Sequence, residues 1–382
     1  MAEYLFDLLS PFYYPILIVV GCYFFLMSLA NHYEMWRFSS APDIFEGPLV
    51  SVLVPARNEE ANIERCLASL RNQLYRNYEI LVLSDNSTDR TWEIISRIAA
   101  EDPRVRVFKG EPLPEDWYGK PYALHQLSGH AEGEILLFTD ADTVHGPTSI
   151  SWAVTNLQKL KADMISGYVG QVFGSFGEKV TVPVMFFLTA FAIPIFLNRY
   201  VGVSWFSAAI GQFIAIRREV FDAIGGCDSF KKKTSEDIYM SRIVKRYGFS
   251  TRFLSVAEHV GCRMYGGYRA AINGIGKNIF DFLGKNTVLL FFLMIVVFFF
   301  LFFPLPLLFL NIAASSPWTM HILTVVVLYT LCWVFAFLGQ RLPWWYGFLW
   351  PLLFLNLIYM AGWSWFRTVS GRGFKWKDRS VS

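Results

Sequence analysis

Three short polar clusters rich in carboxylates each follow an apolar stretch of strand character. They lie at residues 57–60, 85–89 and 140–142. In the third cluster, the apolar run Ile135–Phe138 leads into Asp140 and Asp142, and residues spaced i, i+2 point the same way on an extended chain. Two convergent carboxylates at the end of a buried strand form a seat for a divalent cation that holds a diphosphate. An Asp-rich turn without a ligand is the plain alternative.

The elements that must position these clusters follow a β-α-β-α-β pattern. Strands are predicted over residues 49–55, 78–84, 105–108 and from 135, and helices over 61–72, 91–100 and 119–127. Two further strands are predicted over 164–172 and 211–216. Such a pattern predicts a parallel sheet, whose carboxyl-terminal strand ends share one edge, where open α/β sheets bind ligands. The sequence has neither GxGxxG nor GxxxxGK[ST], so a metal rather than a glycine-rich loop is expected to hold phosphate.

Four motifs in order carry a resemblance to a known family. Ser51-Val52-Leu53-Val54-Pro55-Ala56-Arg57-Asn58-Glu59-Glu60, Leu83-Ser84-Asp85-Asn86-Ser87-Thr88-Asp89, Asp140-Ala141-Asp142 and Ser235-Glu236-Asp237 resemble the family 2 glycosyltransferases. These are inverting enzymes that use nucleotide-diphosphate sugars. The resemblance covers roughly residues 49–278. It implies a GT-A fold, which is a Rossmann-like α/β domain with a mostly parallel sheet.

The resemblance also implies roles for single residues. The donor nucleotide would be bound by Pro55, Arg57, Glu59, Asp85, Lys120 and Asp140. A divalent cation, Mn or Mg, would be held by Asp140 and Asp142, with Asp142 the surer ligand and His259 a candidate third ligand. The plain alternatives are a solvated lysine at a helix start for Lys120 and a structural histidine for His259.

The resemblance places the catalytic acids at the start of a helix after residue 235. Asp237 would be the general base that takes the proton of the acceptor hydroxyl. Glu236 is grouped with it as catalytic, although an acid at a helix N-terminus is ordinarily only a cap. The Gln-x-x-Arg-Trp motif of the polymer-forming members is absent from residues 268–278, which favours transfer of one sugar.

Composition predicts a membrane protein. The chain is 54% hydrophobic and 17% charged, and its ends are nearly free of charge. Long apolar runs at residues 11–30, 287–313, 320–338 and 345–366 predict an N-terminal transmembrane anchor over 1–36, a catalytic domain over 47–284, transmembrane helices over 285–366 and a basic tail over 367–382. Five cysteines without a CxxC pair argue against a disulfide framework and a zinc site. A net charge of +3 argues against nucleic acid as a partner.

A further uncharged run, residues 180–198, is long enough to cross a bilayer. One crossing there would separate the aspartates at 140 and 142 from the acids at 236 and 237, and Pro183 and Pro194 would break the helix. The run is therefore interpreted as a segment in the membrane interface that admits a lipid acceptor, with an ordinary buried helix pair as the alternative.

Basic residues beside the apolar runs predict the orientation. Arg37 follows the first run and acids precede it, which places the catalytic domain in the cytoplasm of a bacterial-type inner or plasma membrane. The basic tail also favours the cytoplasm, yet three crossings after the domain would leave it outside. Either one run is re-entrant or interfacial, or the positive-inside signal is overridden, and the sequence leaves this open.

Together these features predict an integral membrane glycosyltransferase. It would transfer a single sugar from a nucleotide-sugar donor, most simply a UDP-sugar, to a hydroxyl of a membrane lipid of the carotenoid, hopanoid, sphingolipid or glycerolipid class. Transfer to a polyprenyl phosphate is the alternative enzyme. An inactive transporter or scaffold with a nucleotide-fold domain is the alternative outside enzymes, and the intact acids at 85, 140, 142 and 237 argue against it.

Overall fold

The computed structural model describes residues 2–38, 40, 44–376 and 379–381. The chain forms two compact units. The α/β unit comprises Glu34–Val172 and Ile195–Met264. The helical unit comprises the chain up to Tyr33, Phe173–Pro194 and the chain from Tyr265 onwards. The predicted catalytic domain over 47–284 included residues 173–194 and 265–284, which the structure groups with the apolar helices.

The strands of the α/β unit form a sheet of seven strands and a smaller sheet of three. Their bounds are β1 Val50–Ala56, β2 Tyr78–Ser84, β3 Val105–Lys109, β4 Ile135–Phe138, β5 Thr143–His145, β6 Met164–Tyr168, β7 Gly170–Gln171, β8 Ile214–Arg217, β9 Thr251–Ser255 and β10 Val260–Cys262. The large sheet has the order β3-β2-β1-β4-β8-β6-β9, and the small sheet has the order β5-β10-β7. In the large sheet, only β8 runs antiparallel to its neighbours. The predicted mostly parallel sheet is therefore confirmed.

The helices alternate with these strands and then follow them. Their bounds are α1 Ala2–Trp36, α2 Ile63–Arg71, α3 Thr91–Glu101, α4 Gly119–His130, α5 Ser149–Lys159, α6 Phe176–Lys179, α7 Arg218–Ala223, α8 Glu236–Arg246, α9 Tyr268–Phe282, α10 Thr287–Val296, α11 Pro304–Ala313, α12 Thr319–Leu338 and α13 Trp350–Val369. A terminal hairpin pairs β11 Phe374–Trp376 with β12 Arg379–Val381. Residues 377, 378 and 382 of the predicted basic tail lie outside the described residues.

The central strands form because they are apolar on both faces, as a sheet covered by helices requires. Every residue of β4 is buried, and α2 covers one face with Ile63, Cys66, Leu67 and Leu70. Pro55 is tolerated inside the central strand β1 because the ladder to β4 ends at Leu53, so the missing N–H of Pro55 breaks no pairing on that side.

One edge of the large sheet gathers the polar clusters. The parallel register pairs Ala56 with Ser84, so the loops after β1 and β2 begin side by side. Antiparallel β8 reaches the same edge with its start, because Ile214 pairs with Phe138. The turn before β8 therefore lies beside Asp140. Predicted as a strand, residues 211–213 are instead this turn.

Among the described residues, three helices are long and apolar enough to cross a membrane: Ser10–Trp36, Thr319–Leu338 and Trp344–Val369. The count rises to four if a pair of helices bent by 117°, Tyr268–Phe282 with Thr287–Phe302, is one span. The apolar run predicted over residues 287–313 is broken before Pro304, where α11 begins. That break agrees with the predicted effect of proline, since its ring cannot continue a regular helix.

The run at 180–198 does not form one continuous helix. It consists of short helical pieces, Val182–Met185, Leu188–Ala192 and Ile195–Arg199. The Asn31 amide of α1 donates to the carbonyl oxygens of Ala190 and Ile193, at 3.2 and 2.7 Å. It thus binds backbone carbonyl groups at a point where the helix is interrupted. The rejection of a single spanning helix here is thus consistent with the structure, and the interface role stays a prediction.

Candidate active site

The loops after β1 and β2 are joined by backbone-directed hydrogen bonds. The Arg57 guanidinium donates to the carbonyl oxygens of Asp85 (2.7 Å) and Asn86 (3.3 Å), and the Thr88 N–H donates to the Asn58 side chain at 2.8 Å. Asn58 and Asn86 have positive φ angles of 49° and 51°, which asparagine tolerates better than most residues. The structure therefore brings the predicted donor residues Arg57 and Asp85 together.

The two acids predicted beside the nucleotide in these loops differ in their surroundings. Asp85 is buried, and Asn86 donates to its carboxylate at 3.3 Å. Glu59 lies in the turn before α2, where its carboxylate accepts from the Asn62 amide at 3.0 Å and its N–H donates to Thr91 at 2.8 Å. Asp85 is thus buried at this edge of the sheet, whereas Glu59 stabilises the turn that leads into α2.

The turn that carries Asp140 and Asp142 links β4 of the large sheet to β5 of the small one. The Thr143 hydroxyl donates to the Asp140 carbonyl oxygen at 2.7 Å, and the Thr139 hydroxyl donates to the Gln212 carbonyl oxygen at 2.9 Å. Thr139 also lies 2.9 Å from the His145 Nε2 atom. Burial lowers the pKa of His145 to about 3, so this buried imidazole is neutral at pH 7. Three uncharged, hydrogen-bonded side chains, those of Thr139, Thr143 and His145, therefore support the aspartate turn.

Lys120 joins the two ends of the site. Its Nζ atom lies 2.7 Å from the Asp140 Oδ1 atom and 2.9 Å from the Glu236 Oε1 atom. Burial alone would lower the pKa of Lys120, but the charges of Asp140 and Glu236 outweigh it and hold the pKa well above its ordinary value. Lys120 is therefore a fixed cation. The alternative of a solvated lysine is inconsistent with this geometry.

Asp237 lies at the start of α8, held by two backbone groups. The Gly211 N–H donates to its Oδ2 atom at 2.9 Å, and the Ile238 N–H donates to its Oδ1 atom at 2.8 Å. Burial and the neighbouring charge of Glu236 raise the pKa of Asp237 to about 7, while Lys120 and the two N–H groups oppose the rise. A carboxyl group with a pKa near neutrality can accept a proton at physiological pH, as a general base must.

A small recess opens between these groups. Lys120, Asp140 and Glu236 line it together with Pro55 and Gly211. A Cβ atom at residue 211 would lie 2.7 Å from Lys120 Nζ, 3.4 Å from Glu236 Oε1 and 3.7 Å from Asp237 Oδ2. Only glycine leaves this space open. Gly211 was not predicted as a site residue. A glycine three residues before a buried strand was an available signal.

The aspartate pair fits a divalent cation by its chemistry. Burial, together with the charges of Asp140 and Asp142, raises the pKa of the Cys66 and Cys262 thiols. Carboxylate oxygens suit Mg²⁺ and Mn²⁺. Within the described residues, no group of three or more His, Cys, Asp and Glu side chains forms a metal cluster. Two carboxylates would therefore share the ion with phosphate oxygens and water.

His259 is not part of such a group. Its Nδ1 atom lies 3.0 Å from the Thr148 hydroxyl, and its ring packs against Trp152 with the centroids 5.6 Å apart. These contacts suit the structural alternative, and the predicted role as a third metal ligand stays a prediction.

Comparison with known proteins identifies the class of this domain. Residues 51–225 match the family described as Glycosyl transferase family 2. A solved mannosyltransferase, PcManGT from Pyrobaculum calidifontis in complex with GDP-Man and Mn2+, has a TM-score of 0.55 at 17% identity, over 92% of this chain and 98% of that chain. Residues 51–225 thus match a glycosyltransferase family 2 domain, and the chain has the GT-A-like α/β fold with a mostly parallel central sheet that the resemblance predicted.

Two curated relatives share parts of the chain. The probable glycosyltransferase YdaM of Bacillus subtilis (strain 168) is 28% identical over 253 residues, which are 64% of this chain and 57% of the relative. The beta-monoglucosyldiacylglycerol synthase of Nostoc sp. (strain PCC 7120 / SAG 25.82 / UTEX 2576) is 39% identical over 97 residues, which are 25% of this chain and 20% of the relative. The chain therefore covers less than two thirds of the length of either relative.

Proposed function

We propose that the protein is an inverting glycosyltransferase that moves a single sugar from a nucleotide-diphosphate sugar to a hydroxyl group of a membrane lipid. The observation that carries the proposal is the junction of Lys120, Asp140, Glu236 and Asp237. At this junction, Asp237, whose pKa is raised, lies in one network with the fixed cation Lys120. Lys120 in turn contacts Asp140, which belongs to the aspartate pair suited to a metal.

The donor would lie along the strand edge. Arg57, Glu59, Asp85 and the ring of Pro55 would border the base and ribose, and Lys120 would face the diphosphate. A UDP-sugar is the simplest donor, with Asp85 binding the edge of the base. When bound to Asp140 and Asp142, Mn²⁺ or Mg²⁺ would act as a Lewis acid that stabilises the charge of the departing diphosphate.

The transfer would be one displacement. The acceptor hydroxyl gives its proton to Asp237 while its oxygen forms a bond to the anomeric carbon, and the bond from that carbon to the phosphate oxygen breaks. The nucleoside diphosphate leaves with the bonding electrons, and the anomeric centre inverts. A second carboxylate nucleophile is unnecessary, which leaves Glu236 free to orient Lys120 through their 2.9 Å contact.

Two observations support a lipid acceptor. The described part of the chain contains three helices that are long and apolar enough to span a membrane, so the enzyme would meet lipids rather than soluble acceptors. The relative from Nostoc is named as a synthase of beta-monoglucosyldiacylglycerol, which is a glycolipid.

We also propose a cytoplasmic catalytic domain. Of the apolar helices after the α/β unit, two are unbroken spans, Thr319–Leu338 and Trp344–Val369. Two crossings would return Arg367 and the basic residues beyond it to the side of the domain, in agreement with the positive-inside rule. The broken run at 287–313 would then be the re-entrant one.

The test uses the full chain in native membranes. Membranes with the protein, and matched membranes with Asp237→Asn, are incubated with a panel of labelled UDP- and GDP-sugars, and labelled lipids are identified by mass spectrometry. One sugar on a lipid hydroxyl, absent with the variant, supports the proposal. Label linked through a phosphate would instead identify a polyprenyl phosphate acceptor. A panel without any labelled lipid would refute transfer to lipids from these donors.

A further inference from the structure

Exposed aromatic side chains lie beside arginines on the α/β unit. Tyr200, Val203 and Trp205 are 65%, 44% and 64% exposed. Arg199 and Arg242 lie under the two aromatic rings, with their guanidinium carbons 4.3 Å from the Tyr200 centroid and 4.4 Å from the Trp205 centroid. With Arg246, which is exposed on α8, these residues define the aromatic–cationic patch.

The patch is built, since several contacts hold its two parts together. The Lys245 ammonium of α8 donates to the Asn198 carbonyl oxygen at 2.6 Å. The Ser207 hydroxyl donates to the Ser241 carbonyl oxygen, again on α8, at 3.2 Å. The segment between Asn198 and Ser207 is thus fastened at both ends along one helix. The rings of Tyr200 and Trp205 are therefore held exposed, although burying such large apolar groups against protein would be favourable.

The charge of this region is strongly positive. Burial, and then the charge of Arg246, lowers the pKa of Arg242, although Tyr239 opposes the effect. Burial and the charge of Arg252 likewise lower the pKa of Lys245. Glu34 pairs with Arg199 at 3.4 Å, and Asp163 also acts on Arg252. Because these cations repel one another, binding of an anion beside them would lower their electrostatic energy.

The patch also lies at the end of a candidate membrane span. Glu34 belongs to the last turn of the span Ser10–Trp36, and its partner Arg199 belongs to the patch. A helix that crosses a bilayer must end at the level of the headgroups. Tryptophan and tyrosine are enriched at that level, and arginine binds phosphate there.

We propose that the aromatic–cationic patch seats the α/β unit on anionic phospholipid, with Arg246 at the phosphates and Tyr200 and Trp205 among the headgroups, while the buried Arg242 supports the Trp205 ring. This rests on the membrane association in the proposed function. Asp237 precedes Arg242 by five residues of α8, which is about 8 Å along a helix axis. The general base would therefore face lipid hydroxyl groups at a short distance above the bilayer.

The position of the patch is tested with the full chain in nanodiscs. An environment-sensitive fluorophore is attached to Val203→Cys, or to the control Ala100→Cys on α3, in a background with the exposed Cys22 replaced by serine. Ala100 packs by the β3 end of the sheet, whereas Asn198 contacts Thr251 at the β9 end. We expect spin-labelled headgroups to quench the label at 203 but not at 100. Equal quenching at both positions would overturn the proposal.

The role of charge is tested by adding phosphatidylglycerol to phosphatidylcholine nanodiscs. Quenching at 203 should rise with the phosphatidylglycerol fraction. Arg246→Gln should raise the half-saturating fraction about fivefold, which corresponds to about 1 kcal/mol for one cation near the surface. Arg97→Gln, an exposed helical arginine on α3, is the matched control and should change nothing. Quenching that does not depend on phosphatidylglycerol would refute the anionic partner.

The same nanodiscs distinguish this proposal from the proposed function. Quenching at 203 needs no sugar transfer, and transfer to lipid is measured separately with the labelled donors. Quenching without transfer would leave the patch assigned and refute the lipid acceptor. Transfer without quenching would support the lipid acceptor and refute the role of the patch.

Discussion

The two halves of the candidate site are held by different kinds of interaction. In the donor half, Arg57 binds the backbone carbonyls of the Asp85 loop, and both loops simply follow adjacent parallel strands. In the catalytic half, Lys120 binds two carboxylates, and Asp237 depends on the N–H of Gly211, which lies in the turn before the antiparallel strand β8. The first half is a local consequence of the fold. The second half is a network of charges assembled from four separate parts of the chain.

This difference predicts how each half responds to mutation. Loss of a backbone-directed hydrogen bond in the donor half should weaken donor binding and leave the chemical step intact. Loss of one charge in the catalytic half should change the protonation or position of the remaining charges, because each is at least half-buried and partnered. Mutations in the two halves should therefore separate KM effects from kcat effects.

The largest effect is expected at the base. Asp237→Asn keeps the size of the side chain and its place beside Gly211 but cannot accept the acceptor proton. We expect kcat to fall by a factor of about 10² to 10⁴, the usual contribution of general base catalysis. Donor binding, measured by calorimetry, should stay within about twofold. A variant with normal turnover would place the base elsewhere.

The metal seat should give the next largest effect. Asp142→Ala removes one of two carboxylates, so binding of Mn²⁺ should weaken and activity should fall by about a hundredfold, in keeping with the several kcal/mol that a metal supplies. The measurement is Mn²⁺ binding by paramagnetic resonance, with UDP affinity determined in the presence and absence of the ion. His259→Ala is the comparison. Unchanged Mn²⁺ binding in Asp142→Ala would contradict the metal role of this residue.

In the donor half, Arg57→Gln removes the charged donor to the carbonyls of Asp85 and Asn86. A hydrogen bond from a charged group contributes about 1.5–3 kcal/mol, so the KM for the nucleotide sugar should rise at least about tenfold. The kcat at saturating donor should hold, since Arg57 lies outside the charge network. Arg76→Gln, an exposed arginine paired with Glu46, is the matched control. A fall in kcat alone would contradict the separation of the two halves.

The donor half was predictable from the sequence for a physical reason. Apolar runs of strand length fix β1, β2 and β4, and each polar cluster follows its own strand directly, so local order along the chain is enough to place Arg57, Asp85 and Asp140 at one edge. The end of β2 at Ser84 agrees with the prediction. The motifs around these residues then indicated the family, and the match over residues 51–225 agrees with them.

The catalytic half was only partly predictable because long-range pairing decides it. The motif at 235–237 indicated a base, but the contact of Lys120 with both Asp140 and Glu236 follows from the antiparallel insertion of β8 between β4 and β6. Residues 211–213 were predicted as strand because the apolar pattern of residues 211–216 does not reveal where pairing begins.

The pH dependence of the wild-type enzyme tests the raised pKa of Asp237. The carboxylate is the active form, and its folded-state pKa is raised to about 7. The kcat should therefore be constant well above pH 7 and fall about tenfold for each unit of pH below it. The acid limb of kcat, measured with saturating donor and acceptor, gives the midpoint. A midpoint near the ordinary value for aspartate would contradict a buried base at this position.

The smallest effect should come from Gly211→Ala, and it tests how closely the charges are coupled. The added methyl group would lie 2.7 Å from Lys120 Nζ, so the ammonium must move away from its two carboxylates. The N–H of residue 211 remains, and its hydrogen bond to Asp237 can persist. Because the charge of Lys120 lowers the pKa of Asp237, moving it away should shift the acid limb to higher pH by less than about one unit. Gly202→Ala, where a methyl group meets open space, is the matched control. A shift to lower pH would show that Lys120 does not act on the base, and the catalytic half would then consist of two independent parts.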